Sequence, residues 1–443
     1  MTTASGPSGP SGSTDRPVLV ALGPSAELHR GIHGSLTASP PVGVRYVDLL
    51  HRHRFLLPRA AGPERRDPFA QPSVLERVRY EVPPAGAGLT GVHSSRLPVD
   101  GGVPFVVDTD DLVLTLLYGR PLVRGGRALP PSDHPVVRRR VLLMLAAYLD
   151  DACVGVLFRT RRALDEALDL TLDVAGGAAH DRLEERSEVV RPAVPPGPKP
   201  APARPDHCRP VHVAFVGDGW EDKGGPEAAQ VMAELVRCRG KEELRLSWVG
   251  PCPEPWRGRL GAATVHDRLP REDVLSLLAD ADVLLAPSRF ESFGMVLIEA
   301  LAHGVVPVTS SGPGMEHVTE LLPPGLGMLL VPTDLPLHER VSRLLGSVET
   351  LLDRPDLLLS MQRAAWDWAA TGPLSLSTRD DALTTRYAAM SDLVGSAPPV
   401  VEPRRGEVWC GLSSEELSEG YRTLRAGGRR VRVTEVGPSI RST

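Results

Sequence analysis

Between residues 211 and 322, short apolar runs alternate regularly with amphipathic segments, and this pattern most constrains the fold of the chain. Runs of four to six aliphatic residues are typical of buried strands, and the segments between them have apolar residues at helical spacing. The predicted strands are residues 211–216, 244–249, 283–286 and 305–309, and the predicted helices are 226–237, 271–279, 295–302 and 315–322. Strands alternating with helices at this spacing predict βαβ units and a parallel sheet, whose ligands bind at the carboxyl ends of the strands.

The N-terminal half has a less regular pattern. Strands are predicted at residues 17–22, 103–107 and 154–158 and helices at 134–149 and 161–170, while residues 51–90 allow no assignment. Residues 191–210 contain eight prolines and predict an extended linker, because proline ends helices and interrupts central strands. A chain of 443 residues is expected to form more than one hydrophobic core.

These patterns predict the domain organisation. We expect a disordered tail (1–16), an N-terminal α/β domain (17–190), the proline-rich linker (191–210), a C-terminal α/β domain (211–370) and an appendage (396–443). A helix carrying Trp366 and Trp368 is predicted to continue toward Met390.

Composition excludes several functional classes. The net charge of -5 and the pI of about 6.2 give no general attraction to nucleic acid. The basic runs 51–54 and 138–140 leave an acceptor role or a peripheral membrane contact open, although such runs are usually solvated surface. Five scattered cysteines without C-x-x-C spacing, no apolar leader and no bilayer-spanning run predict a cytoplasmic protein.

Residues 287–311 contain the strongest candidate for a ligand site. A predicted strand runs into a loop with Glu291, and Gly294 then opens a helix whose first amides lack intrahelical acceptors. Such a helix start binds anions and suits a diphosphate. Glu291 could accept hydrogen bonds from sugar hydroxyls, and Glu299, among apolar neighbours, could bind the two hydroxyls of a ribose. Equally, Glu299 could pair with an arginine inside the protein, and Glu291 could only cap the loop.

A second candidate loop, residues 215–225, carries one of only three lysines among 50 basic residues. Lys223 stands at a predicted helix start and is followed by two glycines, where a compact ammonium fits a phosphate oxygen better than a guanidinium. An ordinary surface lysine is the alternative. Asp222 stands where the dinucleotide fingerprint requires its third glycine, and no G-x-x-x-x-G-K-[ST] phosphate loop occurs, so nicotinamide binding and ATP hydrolysis are disfavoured.

Together these loops resemble the retaining GT-B enzymes of glycosyltransferase family 4 (glycosyl transferases group 1). The resemblance rests on the E-x7-E pair Glu291 and Glu299 around S-F-G-M, on EALAHGVVPV after it, and on the G…KGG loop with Lys223. It covers residues 205–320. It implies an α/β fold of the GT-B type, with two Rossmann-like doubly wound domains facing a cleft, and a helix around Trp366 that crosses back to the N-terminal domain (predicted crossover segment 371–395).

The resemblance also implies roles for individual residues. Lys223 would hold the donor diphosphate, Glu291 the donor sugar and Glu299 the ribose, while the stretch around Arg268 would border the base. The amides of Phe293 and Gly294 would support the sugar, and those of Met295 and Val296 would bind the distal phosphate.

The sequence departs from the family in several places. Asp218 stands where the family usually has an arginine, for which Arg289 could compensate. The region of a histidine that often lies against the donor offers Asp110 or Asp111 instead, and His93 is another, weaker candidate. The triplet Asp108–Thr109–Asp110 resembles the D-x-D metal site of GT-A enzymes, but the C-terminal loops favour a GT-B enzyme that needs no bound metal or other cofactor.

The resulting hypothesis is a hexosyltransferase-type glycosyltransferase. It would move a sugar from a UDP- or GDP-linked donor to an acceptor hydroxyl, with retention at the anomeric carbon and with the acceptor bound by the N-terminal domain. One alternative is a related enzyme that rearranges or breaks down a sugar nucleotide. Another is a non-catalytic glycosyltransferase-like protein that binds a partner or a nucleotide.

Overall fold

A computed structural model gives the fold of the chain. It describes residues 18–23, 31–48, 52–55, 73, 78–81, 89–97, 99–100, 103–109, 112–116, 132–200, 209–239, 243–261 and 263–396. The predicted tail (1–16) and all but the first residue of the predicted appendage (396–443) lie outside these residues.

The C-terminal domain is built on a six-stranded parallel sheet with the order β12-β11-β10-β13-β14-β15. The strands are β10 (Val211–Val216), β11 (Leu244–Val249), β12 (Ala263–His266), β13 (Val283–Ala286), β14 (Val306–Ser311) and β15 (Leu330–Pro332). Its helices are α6 (Gly225–Arg239), α7 (Glu254–Arg259), α8 (Arg271–Asp280), α9 (Met295–Ala302), α10 (Val318–Leu321), α11 (Leu337–Asp353) and α12 (Pro355–Ala370), with a 3-10 turn at Gly327–Leu329. The strand order changes direction between β10 and β13, which creates a crevice at their carboxyl ends.

The N-terminal domain has a second six-stranded parallel sheet, with the order β2-β1-β5-β7-β8-β9. Its strands are β1 (Val18–Gly23), β2 (Val44–Asp48), β5 (Gly91–Ser95), β7 (Phe105–Thr109), β8 (Cys153–Phe158) and β9 (Ser187–Val189), and a small sheet joins β3 (Arg52–Phe55), β4 (Val78–Glu81) and β6 (Val99–Asp100). Its helices are α1 (Ile32–Ala38), α2 (Leu112–Leu116), α3 (Pro135–Tyr148), α4 (Arg161–Ala175) and α5 (Gly177–Arg186). Two parallel sheets with flanking helices confirm the predicted α/β fold class.

Each domain has its own buried core. In the C-terminal domain, β13 is a continuous buried apolar run and β10 is apolar except for the buried His212, as expected for central parallel strands. Trp248 on β11 is fully buried and stacks on Phe215 of β10, with ring centroids 3.9 Å apart. Burial of such large side chains is the main stabilising contribution.

The last described helix, α13 (Leu376–Ser396), completes the N-terminal domain although it follows the C-terminal domain in sequence. Its residues Leu383, Tyr387 and Met390 are buried in one cluster with Val20 of β1 and Val106 of β7. The chain therefore returns to the N-terminal domain after residue 375.

Two predicted helices were wrong in extent. The helix with Trp366 ends at Ala370, and a break at residues 371–375 precedes α13, so Trp366 does not lie on the helix that crosses back. The indole of Trp366 instead donates a hydrogen bond to the Gly197 carbonyl, 2.6 Å away in the proline-rich segment. The helix predicted at residues 315–322 is only the short α10, because Gly312 and Gly314 hold the preceding chain in a turn with positive φ.

The helices of the described ranges differ in length or apolarity from membrane-spanning helices. None of them combines the length and the apolarity that crossing a bilayer requires.

Candidate functional site

The two loops singled out in the sequence flank the crevice of the C-terminal sheet. Lys223 follows β10 and Glu291 follows β13, the two strands between which the strand order changes direction. Loops at this position meet because the carboxyl ends of parallel strands lie at one edge of the sheet. The Asp222 carbonyl accepts hydrogen bonds from the amides of Arg289 (2.9 Å) and Phe290 (3.3 Å), which joins the loops directly.

Glycines allow this close approach. Gly224 has φ +69°, and a Cβ at this position would overlap the carbonyl group of Pro287. Gly250, at the end of β11, has φ +136°, and a Cβ there would overlap the carbonyl oxygen of Gly217. Both positions therefore require glycine for conformation and for space.

Lys223 and Glu291 form an ion pair at the centre of the crevice. The Lys223 ammonium donates to Oε2 of Glu291 at 2.6 Å, and the Ser288 hydroxyl donates to Oε1 at 3.0 Å. The side chains of Lys223 and Glu291 are 23% and 9% exposed, so the pair is only weakly screened yet open to a ligand. The sequence did not predict the contribution of Ser288.

The amino end of α9 forms the second part of the site. Gly294 caps the helix in the left-handed conformation at φ +92°. Within the described part of the chain, no carbonyl accepts a hydrogen bond from the amides of Phe293, Gly294, Met295 and Val296. These amides and the helix dipole favour a negatively charged ligand.

His317 contacts the loop that leads into α9. It is buried, and its Nε2 donates a hydrogen bond to the Phe293 carbonyl at 3.1 Å. Burial lowers the pKa of His317, and the nearby Glu291 carboxylate opposes the shift only in part. Nothing in the sequence around His317 distinguishes it from an ordinary core residue.

Glu299 is buried on α9 and pairs with Arg271 at the start of α8, with Oε1 2.8 Å from the guanidinium. Burial raises the pKa of Glu299, and Arg271 partly offsets the rise. The arginine partner that the sequence left open as an alternative is thus present.

Three further residues named in the sequence analysis, Arg289, Asp218 and Arg268, lie at this edge of the sheet. The guanidinium of Arg289, the candidate to compensate for Asp218, pairs with the buried Glu227 at 2.7 Å, and Arg340 also binds Glu227. Asp218 itself is exposed. Arg268 is exposed two residues after β12, at the same edge of the sheet.

In the N-terminal domain, the structure describes only part of the acidic segment Asp108–Asp111. Asp110 and Asp111 lie outside the described residues. Asp108 is buried on β7, where Oδ2 lies 2.9 Å from Nε2 of His33 and Oδ1 lies 3.1 Å from Arg159. Burial alone would raise the pKa of Asp108, but Arg159 and the imidazoles outweigh it and hold this pKa well below its ordinary value. A buried, paired Asp108 does not fit the exposed D-x-D arrangement.

His93, the weaker candidate of the sequence, is a buried residue of β5. Its Nδ1 lies 2.7 Å from the Tyr387 hydroxyl on α13, and its Nε2 lies 3.4 Å from Asp108. The contacts tie the returning helix to the sheet.

His33, His93 and Asp108 are also the one group of metal-ligand type found among the described residues, with ligand atoms within 4.8 Å of one another. The buried Arg159 guanidinium already forms an ion pair with Asp108, so a divalent cation here would face a positive charge in a medium of low dielectric constant. The arrangement fits a hydrogen-bonded core network better than a metal centre.

Buried histidines predict a dependence of stability on pH. Burial lowers the pKa of His33, His212 and His317 below the unfolded value of about 6.5. The unfolded state therefore binds more protons below that pH, and the free energy of unfolding should fall by up to about 1.4 kcal/mol per pH unit for each histidine. Chemical denaturation at pH 7.5 and 5.5 measures this slope. His317→Gln should reduce it and His338→Gln, at an exposed position, should not; equal slopes in all three proteins would contradict the assignment.

Comparisons with known proteins bear on the fold and the class. Residues 210–347 match the family model described as glycosyl transferases group 1. A 2-deoxystreptamine glucosyltransferase of Streptomyces kanamyceticus is 29% identical over 301 residues, which cover 65% of this chain and 68% of the relative. A glycogen synthase of Mycobacterium tuberculosis is 28% identical over 184 residues, covering 40% and 42% of the two chains.

Among solved structures, a sucrose-phosphate synthase from Thermosynechococcus elongatus superposes with a TM-score of 0.51 at 15% identity, covering 86% of this chain and all of that one. This similarity confirms the GT-B fold, with its two Rossmann-like domains. The relatives confirm the predicted enzyme class, a glycosyltransferase. Membership of family 4, retention and the role of each site residue remain predictions.

Proposed function

We propose that the protein transfers a glycosyl unit from a UDP- or GDP-linked sugar to an acceptor hydroxyl, with retention at the anomeric carbon. One observation carries the proposal. A lysine ammonium, a glutamate and a helix start with four available amides meet at the point where the strand order of the C-terminal sheet changes direction. This combination suits a ligand that joins a diphosphate to a polyhydroxylated ring.

In this proposal each group acts on a different part of the donor. The ammonium of Lys223 and the amides of Met295 and Val296 bind the diphosphate, whose negative charge increases as it leaves. Glu291 accepts hydrogen bonds from sugar hydroxyls, and Ser288 fixes the orientation of its carboxylate. Groups held in place before the reaction stabilise developing charge without reorganisation cost.

The chemistry conserves atoms and charge. The bond between the anomeric carbon and the diphosphate oxygen breaks, and a bond from the acceptor oxygen forms on the same face of the ring. The acceptor proton passes to the leaving diphosphate, so no protein nucleophile is needed. The acceptor is expected to approach from the N-terminal domain, and neither a metal nor another cofactor takes part.

The ion pair has a consequence for donor binding. In the structure Lys223 pairs with Glu291, so a diphosphate must compete with a carboxylate for the ammonium. Binding of the whole donor removes this conflict, because the sugar hydroxyls then supply hydrogen bonds to Glu291. The arrangement favours an intact sugar nucleotide over the free nucleoside diphosphate.

Thermal unfolding in the presence of UDP, GDP, ADP and their sugars tests the proposal. A matching ligand at a hundredfold excess over its Kd should add about 2.7 kcal/mol to the free energy of unfolding. In Glu299→Gln, which keeps the side-chain size, the Kd of that ligand should rise about tenfold through loss of ribose hydrogen bonds. Glu339→Gln, at a surface pair with Arg343, is the matched control.

Two outcomes would count against this assignment. A lower stability of Glu299→Gln with an unchanged Kd would make Glu299 only the internal partner of Arg271. Binding of a nucleotide without turnover of any sugar nucleotide would favour the non-catalytic alternative, which the exposed Asp218 in the loop of Lys223 supports.

A further inference from the structure

A carboxylate of the C-terminal domain caps a helix of the N-terminal domain. Glu320 on α10 accepts hydrogen bonds from the amides of Arg161 (2.7 Å, to Oε2) and Arg162 (3.0 Å, to Oε1), the first two residues of α4. These amides are among those that a helix leaves without an internal acceptor, and the positive end of the helix dipole favours a carboxylate. One side chain thus satisfies two backbone donors of the other domain.

Two ion pairs reinforce this contact. The guanidinium of Arg191, at the start of the proline-rich linker, donates to Oε2 of Glu320 at 3.1 Å, and that of Arg162 lies 2.8 Å from Glu316. The side chains of Arg191 and Glu320 are only 21% and 20% exposed, so solvent screens their attraction less than that of a surface pair. Glu316 and Glu320, together with Arg191 and the amino end of α4, form what we term the interdomain latch.

The chain segment that supplies the two glutamates also supports the loop of Glu291. The carbonyl of Gly314 accepts a hydrogen bond from the Glu291 amide at 3.3 Å, and His317 holds the Phe293 carbonyl. Met315 and His317 are buried, so the segment cannot shift at one end without disturbing the other.

We propose that residues 314–320 couple the interdomain latch to the loop of Glu291, and that Glu320 is a positioning residue for the reaction. Closing the latch orders the loop that receives the sugar, and a ligand in that loop strengthens the latch. Because coupling between two sites is reciprocal, the change in free energy is the same in both directions. The ligand arm of this inference rests on the proposed function, whereas the coupling within the protein does not.

Hydrogen exchange of the full chain, read out by mass spectrometry on peptides, tests the coupling. In Glu320→Ala, the amides of Arg161 and Arg162 should exchange about tenfold faster or more, since they lose their acceptor. The coupling predicts faster exchange also in the peptide spanning residues 288–298, which contains the Glu291 amide. Glu320→Gln keeps one acceptor oxygen and should give a smaller effect in both peptides.

Controls separate coupling from local capping and from loss of fold. Glu339→Ala, which breaks an ion pair within α11, should leave both peptides unchanged. If Glu320→Ala does not fold, Arg191→Ala removes one side-chain partner of Glu320 from the linker side; it leaves the two amide hydrogen bonds in place, so exchange should rise less than in Glu320→Ala but still in both peptides. Faster exchange at α4 with unchanged exchange at residues 288–298 would overturn the proposal and leave Glu320 as a helix cap only.

A second experiment tests the effect of the latch on ligand binding. It measures the Kd of UDP or GDP, whichever stabilises the wild type. This Kd should rise about tenfold in Glu320→Ala, although Glu320 lies outside the proposed donor contacts. An unchanged Kd would overturn the reciprocal coupling. If neither these nucleotides nor their sugars stabilise the wild type, the proposed function fails, and the exchange experiment still decides whether the latch and the loop are coupled.

Discussion

A Glu291→Gln variant should show at least about a hundredfold lower kcat, while binding the nucleoside diphosphate as tightly as the wild type or more tightly. In the proposed function the Glu291 carboxylate accepts the hydrogen bonds that orient the sugar, and glutamine cannot accept as many. Removing its charge also releases Lys223, which is otherwise 2.6 Å from Oε2 of Glu291, to bind a phosphate oxygen. Steady-state kinetics with calorimetric titration separates the two effects.

Lys223→Met is the matched variant, for which we expect the affinity for the nucleoside diphosphate to fall rather than to stay the same or rise. It removes the ammonium, so both kcat and the affinity for the diphosphate should fall, and Glu291 is left with Ser288 as its remaining side-chain donor. Equal losses of nucleotide affinity in the two variants would show that the pair acts as a structural unit rather than as two ligand-binding groups.

Gly224→Ala should destabilise the C-terminal domain by more than about 3 kcal/mol and abolish activity with it. The added Cβ overlaps the Pro287 carbonyl, and the left-handed conformation at φ +69° adds backbone strain. Relief requires the loops carrying Lys223 and Glu291 to separate. Urea unfolding followed by circular dichroism measures the change.

Gly346→Ala provides a control with the opposite sign. Gly346 lies on the exposed face of α11, where a Cβ meets no atom within 4 Å. Alanine there should stabilise the protein by about 0.5–1 kcal/mol, since it has the higher helix propensity. Equal destabilisation by both substitutions would mean that the packing of Gly224 against Pro287 is not the cause.

The C-terminal sheet could be predicted from the sequence because its central strands are largely buried and appear as mainly apolar runs, interrupted only by single polar residues such as His212 and Arg245. The predicted strands at 211–216, 244–249 and 283–286 agree with the structure at both ends. The helix predicted at 315–322 was too long, since apolar spacing alone did not reveal that Gly312 and Gly314 hold a turn.

The N-terminal domain was harder to predict because its core is completed from a distant part of the chain. The pattern of strands before the linker gives no indication that Tyr387 and Met390, which follow the C-terminal domain in sequence, pack on β1 and β7. The sequence named His93 and Asp108 separately but did not predict that they form a buried polar network with His33, which lies 75 positions before Asp108.

At the candidate site, the sequence predicted residues whose type is unusual for their position. Lys223 is conspicuous in an arginine-rich chain, and Glu299 in an apolar helix. Ser288, Arg271 and His317 are ordinary residue types in ordinary surroundings, and only the contacts in three dimensions give them a role. Glu320 belongs to the same group, since its partners lie about 130 to 160 positions earlier in the chain.

The return of α13 to the N-terminal domain has a consequence for synthesis on the ribosome. Leu383, Tyr387 and Met390 belong to the core that β1 begins, so that core can close only after nearly 400 residues have emerged. The strands and helices of the C-terminal unit, complete by Ala370, become available earlier. The second domain in sequence is therefore the first that can finish folding, reversing the usual order of domain maturation during translation.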